Sequence, residues 1–183
     1  MRFSKALKVL FIAGVYFVLA VTSLQYSFHS SNATPIWPAS GFAFAILLLW
    51  GPQFALGIFM GAVSANLFVF LSNDTCPVFT AICVSGLIGI GNMTEALAGF
   101  YLLRKFVTTV QNTLVLRYVS SVISFVFVSL IMCLPSCVIG TTATYLGDIV
   151  PATDVFSVLF TWWTGDVSGI LLLTPFIILC VTK

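Results

Sequence analysis

The stretch TWWTGDVSG, residues 161–169, places a carboxylate near the middle of an apolar segment that runs over residues 155–181. An acidic side chain at that depth in a bilayer costs at least about 2.5 kcal/mol, so it usually has a partner or a function. Only one other acid, Glu95, lies inside an apolar segment, and none of these segments contains Lys, Arg or His. Asp166 and Glu95 are therefore the first candidates for a buried polar site without a basic partner.

The composition is that of a membrane protein. Hydrophobic residues make up 60% of the 183 residues and charged residues only 7%, whereas soluble domains are about 25% charged. The apolar residues fall into blocks close to the roughly 20 residues that cross a bilayer as an α-helix. The sequence therefore predicts an all-α integral membrane fold, with about six transmembrane helices in one bundle and a single domain over residues 1–183.

Several classes of function are disfavoured. The net charge of +2 is too small for nucleic-acid binding, and there is no Gly-rich phosphate loop and no His/Cys group with metal-ligand spacing. The five cysteines form no recognisable framework. Two membrane acids are typical of intramembrane aspartyl proteases, but the Tyr-Asp and Gly-x-Gly-Asp motifs of that class are absent. We expect a protein that is not an enzyme, with no cofactor, no metal and no catalytic residue.

Six apolar segments define the predicted spans. The first follows a basic stretch and resembles a signal peptide, but it continues amphipathically without a clear small-residue cleavage site, which favours a span. The second is short, about 21 Å long, and opens with PIWPASG at residues 35–41. The spans lie near residues 9–24, 37–50, 53–71, 78–103, 118–146 and 155–181.

The short second span has two interpretations. Pro38 suits a first helical turn, and Trp37 and Trp50 at its ends suit the two membrane interfaces, as in a short span without tilt. A short segment opened by Pro38 and Gly41 is equally typical of a half-helix beside a binding site. The sequence does not choose between them.

A stripe of small residues runs along the third span. Gly57, Gly61 and Ala65 are spaced by four residues, so they lie on one face of a helix. Small residues on such a face let the backbone of another helix approach closely. Asn66 lies beside the stripe, and we expect this face to be a helix contact.

The later spans combine polar residues with prolines. In the fourth span Asn92 comes three residues before Glu95, so the two side chains are neighbours on the helix surface. Pro135 lies inside the fifth span and Pro175 inside the sixth. Because proline cannot donate the backbone hydrogen bond of a helix, both spans are expected to be kinked.

The distribution of charge predicts the orientation of the bundle. All seven basic residues fall on one side of the six-span arrangement, and the three acids outside the spans fall on the other. The basic residues are Arg2, Lys5, Lys8, Arg104, Lys105, Arg117 and Lys183, and the acids are Asp74, Asp148 and Asp154. Since basic residues accumulate on the cytoplasmic side of a membrane, both termini are predicted to be cytoplasmic.

Asp166 and Glu95 are predicted to form a shared ligand or signalling site. Trp162 and Trp163 lie four and three residues before Asp166, on nearby helix faces, and Trp37 of the second span is a further aromatic candidate. An aromatic ring beside a carboxylate suits a cationic or ring-bearing ligand. Intramembrane acids are usually functional, which makes this the preferred interpretation.

The alternative is that the acids only serve helix packing. A protonated acid can donate a hydrogen bond to Asn66, to Asn92 or to a carbonyl group that a proline has freed. In that case an amide would replace each acid with little loss.

Several of these motifs, taken in their order along the chain, are similar to one family. They are PIWPASG at residues 35–41, the stretch 57–66, Glu95 followed by LLRK at 102–105, and residues 162–175. From residue 35 to residue 175 the chain resembles the first class of membrane-associated sensor domain of bacterial signalling proteins. Asp166, Gly169 and Pro175 match the acid, the glycine and the proline of that family.

The resemblance implies a sensory input module in the lipid bilayer of the bacterial inner membrane. Such modules serve histidine kinases in two-component systems and diguanylate cyclases in cyclic-di-GMP signalling. The module would bind a small ligand or a partner membrane protein and pass a signal to a cytoplasmic output domain. Family members typically continue past the sixth span, whereas this chain stops at Lys183, so we expect a truncated, fragmentary or small stand-alone input domain without an output activity.

Uptake of a small molecule is the alternative function. The size and the six spans are similar to those of the substrate-binding subunits of bacterial vitamin transporters. A neighbouring ATPase and coupling subunit would favour uptake, and an output domain in the same gene would favour the sensor.

Overall fold

The computed structural model of the chain describes residues 4–25, 34–106, 109–110, 113–114 and 119–181. Within these residues seven α-helices form the fold: α1 (Lys5–Leu24), α2 (Pro38–Trp50), α3 (Ala55–Ser72), α4 (Val78–Phe106), α5 (Val119–Met132), α6 (Leu134–Leu146) and α7 (Val155–Val181). A 3-10 turn at Pro52–Phe54 joins α2 to α3, and β1 (Thr109–Val110) pairs antiparallel with β2 (Thr113–Leu114). Three residues used to predict the orientation, Arg2, Arg117 and Lys183, lie outside the described residues.

The helices confirm the predicted membrane fold. Among the described residues, five helical segments are long and apolar enough to cross a bilayer, and the apolar helix α2 is shorter; the five are Lys5–Leu24, Pro52–Ser72, Val78–Phe106, Val119–Leu146 and Val155–Val181. The outer surface is apolar as well, since Phe79 is 78% exposed and Phe156 is 79% exposed. Soluble monomers rarely expose large apolar patches, so this surface faces lipid. The orientation of the termini stays a prediction.

Helix α2 lies at the centre of the bundle. Every residue from 39 to 47 is buried, as expected for a helix that is apolar all round, and α2 packs against α7, α4 and α1. With 13 residues it is about 20 Å long, well short of the roughly 30 Å of the hydrocarbon core. In the non-helical segment before it Thr34 and Trp37 are buried, whereas Pro35 and Ile36 are exposed. This segment lies partly inside the bundle, which favours the half-helix interpretation of the second span.

Glycines set the distance between α2 and α7. A Cβ atom at Gly41 would overlap the carbonyl oxygen of Gly169, and a Cβ atom at Gly169 would overlap the carbonyl oxygen of Trp37. The Trp37 amide donates to the Gly165 carbonyl at 2.9 Å. On the next turns Thr174 Oγ1 donates to the Gly41 carbonyl at 2.9 Å. This backbone contact fixes the register of the two helices and brings the first turn of α2 to the middle of α7.

The stripe of small residues on the third span faces α1. A Cβ atom at Gly61 would lie 2.7 Å from the carbonyl oxygen of Ala13 and 2.7 Å from Tyr16 Cβ. A Cβ atom at Gly57 would lie 2.9 Å from Ile12 Cβ. All three distances are shorter than side chains normally tolerate, so glycine at these positions lets α1 pack closely as a member of the bundle.

The two prolines have different effects. The fifth span is interrupted, because α5 ends at Met132, α6 begins at Leu134, and Pro135 occupies the first turn of α6. Proline has no amide hydrogen with which to continue the preceding helix. In contrast, α7 remains one helix with Pro175 inside it. The fifth span is thus divided at Cys133, two residues before its proline, whereas the sixth continues as one helix, and the kink expected at Pro175 stays a prediction.

Candidate functional site: a buried acid pair

Two acidic side chains from different helices meet inside the bundle. Glu95, on α4, is 1% exposed, and Asp166, on α7, is 5% exposed. Their carboxyl groups interact with each other, and Ser40 of α2 and Ser136 of α6 lie beside both. Four helices therefore each contribute one side chain, so a movement of any of them changes the surroundings of the pair.

The hydrogen bonds of the pair are incomplete. Ser40 Oγ donates to Asp166 Oδ1 at 2.9 Å. Ser136 Oγ lies 3.3 Å from both Asp166 Oδ2 and Asn92 Oδ1, and its single proton serves one of them at a time. Within the described part of the chain, Oε2 of Glu95 has no hydrogen-bond partner. A buried polar atom without a partner costs about 1–3 kcal/mol, and a proton shared with Asp166, a water molecule or an ion would each give this oxygen a partner.

The positive charge available to the acids is small. Helices α2, α3, α5, α6 and α7 contain no Lys, Arg or His, and the basic residues of α1 and α4 lie in the end turns of those helices. The positive elements beside the pair are the N-termini of α2 and α6, which carry Ser40 and Ser136 in their first turns. A helix N-terminus is equivalent to about half a positive charge, so the two together offset only part of the charge of two ionised acids.

A small cavity lies beside Asp166. Its volume is about 20 Å³, and it is lined by Leu24, Trp37, Asn66, Ile88, Asn92, Ser136, Trp162 and Asp166. A buried water needs about 10–15 Å³, so the cavity has room for one water molecule or one small ion. The amide nitrogens of Asn66 and Asn92 donate to carbonyl groups of their own helices at 2.9 and 3.0 Å. Their side-chain oxygens are therefore left for other partners.

The match to a known protein family covers almost the whole chain. The model of MASE1, membrane-associated sensor domain 1, matches residues 9–183. The chain belongs to the MASE1 family. MASE1 is a sensor input domain that is not itself catalytic and that occurs in proteins with enzymatic output domains. The resemblance inferred from the motifs is thereby confirmed, whereas no curated protein and no solved structure shows a significant match to the chain.

The cavity of this MASE1 domain gathers most of the residues that the sequence singled out. Five of the seven ligand candidates line it: Asp166, Asn92, Asn66, Trp162 and Trp37. A sixth, Glu95, interacts with Asp166 but is not among the residues that line the cavity. Trp162 also packs its ring against the backbone of Gly140, where a Cβ atom would overlap it. Residues that the sequence singled out are thus brought together from three separate helices, α3, α4 and α7, and from the segment before α2.

Trp163 is placed differently. Its Nε1 donates to the Leu130 carbonyl at 2.9 Å, beside the break between α5 and α6, and its ring packs among the buried side chains of that region. Trp163 is not among the residues that line the cavity. It holds α7 to α5, so the prediction that it contacts a ligand has no support from its position.

Sequence reasoning missed three polar side chains near the acids. Two are Ser40 and Ser136, each of which follows a proline in the first turn of its helix. The third is Tyr16 of α1, which is fully buried and whose hydroxyl accepts a hydrogen bond of 3.4 Å from Trp37 Nε1. A serine one or two residues after a proline in the first turn of an apolar helix is the signal that would have found the two serines.

Proposed function

We propose that this MASE1 domain is the sensory input module of a bacterial signalling protein and that the Glu95–Asp166 pair receives its signal. Membership of the family supports the sensory role. The observation that carries the site is a pair of carboxyl groups, buried between four helices, in which one oxygen has no partner among the described residues. Acids that only served packing would be expected to satisfy their polar atoms, so the unsatisfied oxygen favours a signalling role.

The packing around the pair offers a route by which a signal leaves the site. Asp166 lies near the middle of α7, which continues to Val181, and Glu95 lies on α4, which continues to Phe106. A ligand or partner that favours one arrangement of the pair shifts the population of helix arrangements toward it. Because Ser40 of α2 bonds directly to Asp166, we expect a change at the pair to move α7 against α2 and to be read by a cytoplasmic output domain.

The size of the cavity bears on the alternative of vitamin uptake. Pockets for drug-sized or vitamin-sized molecules have volumes of about 300–1,000 Å³, whereas the cavity beside Asp166 has about 20 Å³. A molecule of that size does not fit beside Asp166 in this conformation, which disfavours the acid pair as the binding site of a vitamin-sized substrate. A partner membrane protein would act from the lipid-facing surface and would not need the cavity.

The predicted location is the bacterial inner membrane, with both termini in the cytoplasm. The Lys8 ammonium lies 5.0 Å from the centre of the Trp50 ring. The basic start of α1 and the end of α2 are therefore at the same end of the bundle. This contact supports the alternating arrangement of spans from which the positive-inside rule predicts the orientation.

The test measures signal output from the domain in a membrane. Residues 1–183 are fused to a diguanylate cyclase domain, expressed in a bacterial inner membrane and compared with Asp166→Asn and Glu95→Gln. Each amide keeps the shape of the carboxyl group but cannot carry its charge or release a proton, so we expect cyclase output to change at an unchanged membrane level. The matched control is Asp148→Asn, because Asp148 is exposed and has a positive φ of 56° that Asn tolerates. Parent-like output from both acid variants would contradict the proposed site.

A further inference from the structure

The surroundings of the acid pair are built from oxygen atoms. They comprise the carboxyl groups of Glu95 and Asp166, the hydroxyl groups of Ser40 and Ser136, and the side-chain oxygen of Asn92. The amide nitrogen of Asn92 is occupied by the carbonyl of Ile88, at 3.0 Å. Carboxylate, hydroxyl and amide oxygens are the ligands that hard cations prefer.

A second observation is the unsatisfied oxygen of Glu95. The side chain is 1% exposed, its Oε2 has no hydrogen-bond partner within the described ranges, and its carboxyl group interacts with that of Asp166. Two adjacent carboxylates repel each other, and the middle turns of all seven helices lack a basic side chain that would offset this repulsion. A cation between the two groups would relieve the repulsion and give Oε2 a partner.

We infer that the Glu95–Asp166 pair binds one monovalent cation of about the size of a sodium ion. This names the ligand of the signalling site, so it rests on the proposed function. The binding itself is a property of the folded chain and is measured without any output domain.

Size and charge select this class of ligand. The cavity that Asp166, Ser136 and Asn92 line on one side of the pair has a volume of about 20 Å³, which admits one ion or one water and excludes an organic amine. The described residues form no group of three or more His, Cys, Asp or Glu side chains, which argues against a transition metal. Magnesium keeps several bound waters, for which the cavity has no space. The positive ends of α2 and α6 beside the pair also disfavour a doubly charged ion relative to a singly charged one.

The inference is tested by thermal unfolding of the purified chain in detergent. Sodium chloride replaces choline chloride stepwise at fixed alkaline pH and fixed ionic strength. Because a ligand that binds only the folded state stabilises it by mass action, Tm should rise with sodium and then level off. Potassium chloride and calcium chloride, at the same ionic strength, should each raise Tm less. A Tm that is equal in sodium and choline, or that rises most with calcium, would overturn the inference.

Variants locate the sodium effect. Even groups that only support the ligands of a metal site contribute about 10–100-fold in affinity, so Asp166→Asn should raise the half-saturating sodium concentration at least about tenfold. Ser136→Ala removes one hydroxyl group and should also raise the half-saturating sodium concentration, but by less than Asp166→Asn does. This variant decides the question if Asp166→Asn does not fold. Asp148→Asn is the control and should respond like the parent. An unchanged half-saturation in the site variants would place the sodium elsewhere and refute the assignment.

The binding test and the output test fail separately. If cyclase output changes in the acid variants but the Tm of the parent does not depend on sodium, cation binding by the pair is refuted and its signalling role is retained. If sodium raises the Tm of the parent and Asp166→Asn weakens this effect, but both acid variants keep parent-like output, cation binding is supported and the signalling role of the pair is refuted.

Discussion

The backbone contact between α2 and α7 can be tested by adding a single methyl group. In Gly169→Ala the new Cβ overlaps the Trp37 carbonyl oxygen, which is part of the backbone and cannot rotate away. Overpacking of this kind costs about 1–3 kcal/mol. Gly86→Ala is the matched control, because Gly86 is also inside a helix and nothing lies within 4 Å of a Cβ atom placed there.

The difference between the two variants isolates the steric cost. Both substitutions gain the same helix propensity, up to about 1 kcal/mol, so this gain cancels in the comparison. At about 2–4 °C per kcal/mol for a chain of this size, Gly169→Ala should melt roughly 2–12 °C below Gly86→Ala in detergent. If Gly169→Ala melts at the same temperature or higher, α2 and α7 are not in backbone contact, and the position of Ser40 beside Asp166 loses its basis.

Other parts of the bundle give further tests. Gly61→Leu forces a large side chain against α1 and should lower stability by about 1–3 kcal/mol, whereas an unchanged melting curve would show that the stripe faces lipid. A reporter fused after Lys183 should be cytoplasmic and one inserted within residues 148–154 external; a cytoplasmic signal from that loop would refute the predicted orientation. Trp163→Phe removes the donor to the Leu130 carbonyl and should lower stability by about 1 kcal/mol while cyclase output is retained. Loss of output at a parental membrane level would show that Trp163 belongs to the signalling site.

The ends of the helices were largely predictable, because charge and polarity mark them. The predicted sixth span, residues 155–181, coincides with α7, since Asp154 precedes it and the apolar run is uninterrupted after Asp166. The fifth span was expected to be kinked and is divided into α5 and α6 at Cys133, two residues before Pro135. The segment after α4 was expected to be a loop and contains the pair β1 and β2, whose strands of two residues are too short to give a sequence pattern.

The part of the candidate site that could be predicted from the sequence consists of the residues whose burial in a membrane costs free energy. Glu95 and Asp166 stand out because an acid at bilayer depth needs a reason, and the structure places their carboxyl groups together. Trp162 and Trp163 were both placed in the predicted site because both lie about one turn before Asp166, although adjacent residues differ by about 100° around a helix. That angle is enough to place one ring at the cavity and the other against α5.

The hydrogen-bond partners of Ser40 and Ser136 could not be predicted from hydropathy and residue spacing. A serine in a helix is commonly satisfied by the carbonyl four residues before it, as Ser129 is by Phe125 at 2.7 Å. Ser40 and Ser136 lie in first turns, where no such carbonyl belongs to the same helix. Their partners come from α4 and α7, so their role follows from tertiary packing alone.

The central claim is that Glu95 and Asp166 act as one signalling site. The most direct measurement is the cyclase output, at equal membrane level, of residues 1–183 fused to the cyclase domain and carrying both Glu95→Gln and Asp166→Asn. Residues that act as a unit have strongly non-additive effects, so the double variant should differ from the parent no more than the more severe single variant does. A double variant whose change equals the combined changes of the two single variants would show that the acids act independently and would contradict the claim.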